Sequence, residues 1–247
     1  MNTDTVFLIL GGLAGGFING FSGTGTALFA LGFLLVVLEP AQAVAIVALL
    51  SVLSGLQGVW VVRRSIRSAP RRLLRFLLPG LIGVPLGALL LNLVDTTVLR
   101  LLVATFLVTY GVFFGFRAAL PRAQDTRPKA DMAIGFVSGT LGGLASLSGA
   151  LPAIWLSMRA WPKADIRGVM QGFNIVILSC TAVILALRGT YTPDVWAALA
   201  LVLPAGLIAS VLGIYAFKRV SDDQFRRTLI LLCLAMGLGI FAHAIAG

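Results

Sequence analysis

Charged residues in this chain occur in short clusters, and long uncharged stretches separate them. The uncharged stretches are 5–38, 40–62, 76–94, 101–116, 132–158, 168–187, 195–217 and 228–247. Most of them have the roughly 20 residues that an α-helix needs to cross a hydrocarbon core. With 59% apolar and only 11% charged residues, the chain lacks the charge that a soluble domain carries on its surface. We therefore expect an all-α membrane protein whose partner is the lipid bilayer.

The net charge of +10 does not indicate a nucleic-acid partner, because the Lys and Arg residues lie in loops between apolar segments and form no basic domain. Cys180 and Cys233 lie inside apolar runs, without the spacing of metal ligands or of a disulfide framework. The sequence also has no phosphate-binding loop for ATP. We expect neither a metal nor a cofactor.

Two uncharged stretches are too long for one simple crossing. Residues 5–38 would form a helix of about 51 Å, against a hydrocarbon core of about 30 Å. Three glycines and three hydroxyl residues interrupt this run between Asn19 and Thr26. The run 132–158 is interrupted between Ser146 and Pro152, and Pro152 is suited to be the first residue of a new helix. Both runs are predicted to break at these points.

The order of segments indicates an internal duplication. Ser22 and Ser148 lie 126 residues apart, and the same offset pairs Gly16 with Gly142. An interrupted run followed by three ordinary spans occurs twice. We predict a first repeat over 1–116, a cytoplasmic linker over 117–131 and a second repeat over 132–247.

The loop charges favour one threading of the interrupted runs. If each run crossed once, the better orientation would divide the Lys and Arg residues 11 to 8. If each run returns to the side it came from, 17 of 19 share one side and only Arg100 and Arg188 are opposite. This predicts an external N-terminus, six full spans and two re-entrant helix–loop–helix elements. Three crossings per half make the repeat inverted, which is typical of secondary transporters and channels.

The interruptions predict where a ligand binds. Non-helical backbone at membrane depth must face protein or a water-filled cavity. Each interruption precedes a new helix N-terminus, near Thr26 and Pro152, and two such ends favour a small anion. The alternative role of these small residues is close helix packing. The candidate site residues in the interruptions are Asn19, Ser22, Gly23, Thr24, Gly25, Thr26, Ser148, Gly149, Ala150 and Pro152.

Two amides in a later span complete the predicted site. Gln171 and Asn174 are three residues apart, so a helix places them on one face. Their alternative role is a hydrogen bond between helices. All nine carboxylates lie in termini, in loops or at span ends, so a cation substrate is not expected.

One enzymatic alternative exists. The segment Gly20 to Gly23 matches the GxSG motif of rhomboid-type intramembrane serine proteases, with Ser22 as nucleophile and His243 as a base in the last span. The Ser-Gly pair recurs at Ser148, which a duplication explains and catalysis does not. We therefore expect a protein that is not an enzyme.

Two segments carry a resemblance to a known family. The first runs from Gly11 to Gly25 and is followed by an apolar run and by Glu39-Pro40-Ala41-Gln42-Ala43; the second runs from Gly135 to Pro152. Both resemble the TauE/SafE sulfite exporter family, over essentially the whole chain. The resemblance implies export of sulfite or a related small organosulfur anion across a prokaryotic cytoplasmic membrane. An anion channel, or an importer of thiosulfate- or sulfonate-type anions, remains the alternative.

Overall fold

The computed structural model of the protein describes residues 3–68, 70–116, 127–159, 163–220, 231 and 234–242, and these residues contain helices but no β-strand. The helices are α1 (Thr3–Ser22), α2 (Thr26–Leu34), α3 (Pro40–Ser68), α4 (Pro70–Leu91), α5 (Thr96–Phe116), α6 (Pro128–Ala145), α7 (Ala150–Ser157), α8 (Lys163–Leu187) and α9 (Pro193–Arg219). A further helical stretch covers 234–242.

Six of the described helices, α1, α3, α4, α5, α8 and α9, are long and apolar enough to cross a membrane. Five of them correspond to predicted spans, whereas α1 was expected as one arm of a re-entrant element. The sixth predicted span, 228–247, lies partly outside the described residues. Helix α6 begins at Pro128, so the last residues of the predicted linker are already helical.

Proline marks the start of several helices. Pro40, Pro70, Pro128 and Pro193 are the first residues of α3, α4, α6 and α9. Proline fits this position because the first N–H of a helix has no partner within the helix. Proline accounts for these starts, although the uncharged stretches that predicted α4, α6 and α9 begin later, at 76, 132 and 195.

Helix α1 packs along α9, and α6 packs along α4, through stripes of small residues. A Cβ atom at Gly16 would lie 2.0 Å from the carbonyl oxygen of Gly206, and one at Gly139 would lie 2.0 Å from that of Gly80. Similar contacts recur every four residues along both pairs, at Gly12 with Val202, Gly20 with Ser210, Gly135 with Phe76, and Gly143 with Val84. Residue numbers rise together in both helices of a pair, so each pair is parallel. Backbones approach this closely in membranes where at least one of the two helices presents small residues such as glycine.

The two stripes repeat, but with two different offsets along the chain. Gly80 and Gly206 are 126 residues apart, whereas Gly16 and Gly139 are 123 apart. Packing therefore matches Gly16 with Gly139, and not with Gly142 as the offset of 126 does. Because α1 and α6 both contain many glycines, sequence identities alone do not show which glycine of α6 corresponds to which glycine of α1.

The first interrupted run folds back on itself. Gly15 of α1 lies against Ala30 of α2, and Gly11 lies against Leu34. Residue numbers fall along α1 as they rise along α2, so the two helices are antiparallel neighbours. The break between them is therefore a turn that reverses the chain.

In the second interrupted run, a buried ion pair joins the start of α6 to the residue that follows α7. We call α1 with α2 the first hairpin and α6 with α7 the second. Arg159, which follows α7, places Nη2 3.3 Å from Oδ1 of Asp131 in the first turns of α6. The Trp155 indole donates a hydrogen bond to the same carboxylate oxygen at 2.8 Å, and the Arg159 guanidinium lies 4.5 Å from the Trp155 ring centroid. Asp131 and Arg159 are 1% and 4% exposed. We call this cluster the clasp; it holds α7 against α6.

The outer surface is apolar. On α4, the face opposite the glycine stripe exposes Leu78, Ile82 and Leu89 by 56% or more. On α9, Ile208 and Leu212 are exposed in the same way. Large apolar side chains on the outer face suit contact with lipid, and small residues on the inner face suit close helix packing. The chain is an integral membrane protein.

Candidate functional site

Two glycines in left-handed conformations form the first break. Gly23 and Gly25 have φ angles of 80° and 95°, which cost an L-residue strain and glycine little. The Ser22 hydroxyl lies 2.9 Å from the Ile18 carbonyl oxygen and 2.5 Å from that of Thr24, so it closes the turn by donating to the backbone. Gly25 supplies no side-chain cap to α2. The first turn of α2 therefore keeps N–H groups without partners within the helix.

The second break uses different residues to reach a similar shape. Ser146 ends α6 with φ 54°, its N–H donates to the Gly142 carbonyl at 2.9 Å, and its hydroxyl donates to the Val44 carbonyl of α3 at 3.1 Å. Helix α7 begins at Ala150, two residues before the predicted start at Pro152. Since proline has no N–H, α7 offers fewer free donors than α2 does.

The two breaks meet. A Cβ atom at Gly149 would lie 3.0 Å from Cβ of Thr24 and 3.7 Å from Oδ1 of Asn174. Next to this contact is a cavity of about 10 Å³, enough for about one water molecule, which we call the central cavity. It is lined by Gly25, Thr26, Ala27 and Leu28 of the first break, by Ser146, Leu147, Gly149 and Ala150 of the second, and by Ser51 and Asn174.

Two buried hydroxyls without hydrogen-bond partners line the central cavity. The hydroxyls of Thr26 and Ser51 are buried and make no hydrogen bond, and these residues are 2% and 1% exposed. Asn174 accepts a hydrogen bond from Ser148 through Oδ1, which leaves its amide nitrogen as a donor of two N–H groups. No charged side chain lines this cavity in the described part of the chain. Neutral donors in a buried site suit an anion.

A second cavity of about 10 Å³ lies on the other side of the first break, and we call it the flanking cavity. It is lined by Ile18, Ser22, Thr24, Gly25, Leu28, Phe29, Tyr110 and Ala150. Gly25, Leu28 and Ala150 line both cavities. The first turn of α2 therefore contributes to the lining of both cavities.

Five predicted site residues line neither cavity: Asn19, Gly23, Ser148, Pro152 and Gln171. Asn19 donates through Nδ2 to the Ser54 hydroxyl, and its Oδ1 is buried without a partner. Gln171 donates through Nε2 to the Gly55 carbonyl at 2.9 Å, which is the interhelical alternative. Pro152 is buried inside α7. Of the two predicted amides, the structure places only Asn174 at the cavity.

Sequence reasoning counted Ser51 among several further polar candidates within spans but favoured Gln171 and Asn174. It interpreted Tyr110 as an interface or packing residue. Ser51 is one of several hydroxyl residues within spans, and its position along α3 gives no local signal. It lies at the cavity because α3, which is almost wholly buried over Ala43 to Leu50, packs next to the two breaks. Tyr110 comes from α5, far along the chain. Only packing between distant helices brings these two residues to the breaks.

The described residues include only one member of the proposed serine-protease dyad, Ser22. The Ser22 hydroxyl is directed to backbone carbonyl oxygens, as described above. His243, the proposed base, lies outside the described residues. Within the described part of the chain, no group of three or more His, Cys, Asp or Glu residues is placed to hold a metal ion.

These features define a class: a helical membrane protein with several membrane-spanning helices and a small buried cavity between two interrupted helical runs. A family model described as sulfite exporter TauE/SafE matches residues 8–240, nearly the whole chain. The chain therefore belongs to the TauE/SafE sulfite exporter family, a family of membrane transporters, and the resemblance seen in the sequence is confirmed. No curated protein and no solved structure shows detectable similarity to the chain.

Proposed function

We propose that the protein exports sulfite or a related small sulfur oxyanion across the cytoplasmic membrane of a prokaryote, and that the anion binds in the central cavity. The observation that carries this proposal is a pair of buried hydroxyls without hydrogen-bond partners, Thr26 and Ser51, at a cavity where α2 begins. A buried donor without a partner destabilises a protein by about 1 to 3 kcal/mol. Its presence at a cavity is explained if a ligand accepts its hydrogen bond.

The proposed transport architecture is an inverted repeat with two re-entrant hairpins. The antiparallel contact of α1 with α2 supports it, as does the clasp that returns α7 to the start of α6. The matched parallel packing of α1 on α9 and of α6 on α4 supports it as well. In the proposed topology, both helices of each parallel pair run in the same direction through the membrane.

The central cavity must widen for transport. Its volume of about 10 Å³ holds about one water molecule, and an oxyanion with four or more heavy atoms is larger. Thr24 of the first break lies close to Gly149 of the second, so the two breaks leave little free space between them. We propose that relative movement of the two hairpins opens the site to one side of the membrane at a time.

Export agrees with the absence of a charged relay around the described cavities. An anion that leaves a cell with a negative interior gains about 2.3 kcal/mol per charge per 100 mV. Export can therefore run downhill without a titratable group in the protein. The membrane potential supplies the driving force in this proposal.

A thermal-shift panel on the detergent-purified protein tests the proposed ligand class. Because a ligand of the folded state stabilises it, we expect sulfite, thiosulfate or sulfoacetate to raise the Tm, and chloride to have no effect. Gly149→Leu is the matched control. Its backbone φ of −89° accepts a side chain, but the new atoms would occupy the space beside Thr24 and Asn174.

In Gly149→Leu, the Tm shift with the anion should disappear while the protein still inserts and purifies normally. An equal shift in both proteins would place the binding site elsewhere. No shift with any sulfur oxyanion in the unsubstituted protein would contradict the proposed function.

A further inference from the structure

We infer that the central cavity selects singly charged anions, so that the transported form of sulfite is the hydrogen sulfite monoanion and divalent oxyanions are excluded. This inference rests on the proposed function, because it assigns a charge state to the ligand of that same site.

The first step is the count of positive charge at the cavity. The N-terminus of a helix is equivalent to roughly +0.5 elementary charge. Helices α2 and α7 both begin at the cavity, so together they supply at most about one positive charge. Pro152 lacks an N–H and α7 has only eight residues, so its share is the smaller one.

The second step is the placement of the described formal charges near these helices. Arg159 is paired with Asp131 in the clasp, beyond the far end of α7. Arg100 donates to the Leu35 carbonyl at the far end of α2. Arg72 is paired with Asp165, and none of these side chains lines either cavity. A second negative charge on the ligand would therefore find no counter-charge among the lining residues.

The third step is the chemistry of the remaining groups. Thr26, Ser51 and Asn174 offer neutral donors, which compensate a delocalised single charge better than two charges. Burial of an ion without a compensating charge is strongly unfavourable. Tyr110, the only titratable side chain on the described lining, belongs to the flanking cavity. The ionisation that matters near neutral pH is therefore that of sulfite itself.

Flux measurements with the full-length protein in proteoliposomes test the inference. The membrane potential is held at zero, so that driving force does not depend on ligand charge. The probes are sulfite, methanesulfonate and sulfate. Methanesulfonate is a tetrahedral monoanion at any pH used, and sulfate is the matching dianion with an oxygen in place of the methyl group.

We expect sulfite flux to fall as the buffer changes from mildly acidic to mildly alkaline, while methanesulfonate flux stays constant. Sulfate flux should be at least about tenfold lower than methanesulfonate flux. Sulfite flux that does not fall with pH, or sulfate flux equal to that of methanesulfonate, overturns the charge selection and leaves the proposed function intact. If none of the three probes moves faster than in protein-free liposomes, the proposed function itself fails, and this inference with it.

Discussion

Ser148 orients the side chain of Asn174, and this orientation makes Asn174 a hydrogen-bond donor in the proposed site. Its Oδ1 accepts the Ser148 hydroxyl proton, so its amide nitrogen is the atom left for a ligand. Asn174→Asp preserves the acceptor and replaces the donor with a carboxylate oxygen. We predict that anion binding weakens at least about 100-fold, because like charges repel strongly in a buried site. Anion-dependent Tm shifts and liposome flux measure the effect.

Asn92→Asp is the control for that substitution. Asn92 is exposed in the turn between α4 and α5, so the same chemical change should leave binding unaltered. Equal losses in both variants would point to a general effect of negative charge and not to the site.

Removal of the Thr26 or Ser51 hydroxyl should affect protein stability and anion binding in opposite directions. Thr26→Val and Ser51→Ala each remove a buried hydroxyl without a partner, so the free energy of unfolding should stay constant or increase. Each should weaken anion binding roughly two- to tenfold, for a lost hydrogen bond of about 0.5 to 1.5 kcal/mol. Ligand titration and thermal denaturation of the same samples measure both quantities.

Ser138→Ala is the matched control, because Ser138 is equally buried and unpartnered but lines neither cavity. It should show the effect on stability and none on binding. A loss of binding in Ser138→Ala as large as in Ser51→Ala would contradict the assignment of the donors.

At the scale of helices, the glycine stripes determine which helices pair. Gly139→Ala places a methyl group 2.0 Å from the Gly80 carbonyl oxygen, and Gly16→Ala does the same at Gly206. We predict that each destabilises the protein by about 1 to 3 kcal/mol, because the backbones must separate. Gly115→Ala, with no atom within 4 Å of the added Cβ, should be neutral. Denaturation in detergent compares the three; a neutral Gly139→Ala would contradict close packing of α6 on α4.

The clasp predicts a strong coupling between two charges. Asp131→Asn or Arg159→Met alone leaves the other charge buried without its partner, and we expect a loss of about 3 to 5 kcal/mol for each. The double variant should regain most of that stability. A double-mutant cycle measures the coupling, and losses that simply add would show that the ion pair does not hold the hairpin.

At the scale of the whole molecule, topology is the remaining prediction. The loop charges place Ser68, the last residue of α3, on the cytoplasmic side, and Leu93, 82% exposed after α4, outside. In a background with Cys180 and Cys233 replaced by alanine, an impermeant thiol reagent applied to intact cells should label Leu93→Cys and not Ser68→Cys. Labelling of Ser68→Cys from outside would contradict the inverted repeat.

Sequence patterns located the first break, because a break depends on neighbouring residues. It ends at Thr26, as predicted, whereas α4, α6 and α9 begin at prolines that lie before the predicted stretches, which begin at 76, 132 and 195. The start of α7 was predicted two residues late, at Pro152, because proline is tolerated throughout the first turn of a helix and not only at its first position.

The sequence by itself determined that the chain lies in a membrane and where two of its helices break, since hydropathy, length and local backbone preference act over a few residues. Only the tertiary structure decided which polar side chains lie together at the cavity and which pair elsewhere. Ser51 lines the cavity, whereas Gln171 donates a hydrogen bond to the Gly55 carbonyl. Asp131 forms an ion pair with Arg159. All three results depend on contacts between segments that are distant in the chain. Because the chain is so uniformly apolar, one helix could be shifted along another to many positions with nearly the same hydropathy at their interface. The choice among them depends on the steric fit of glycine to backbone, which no pattern within one helix contains.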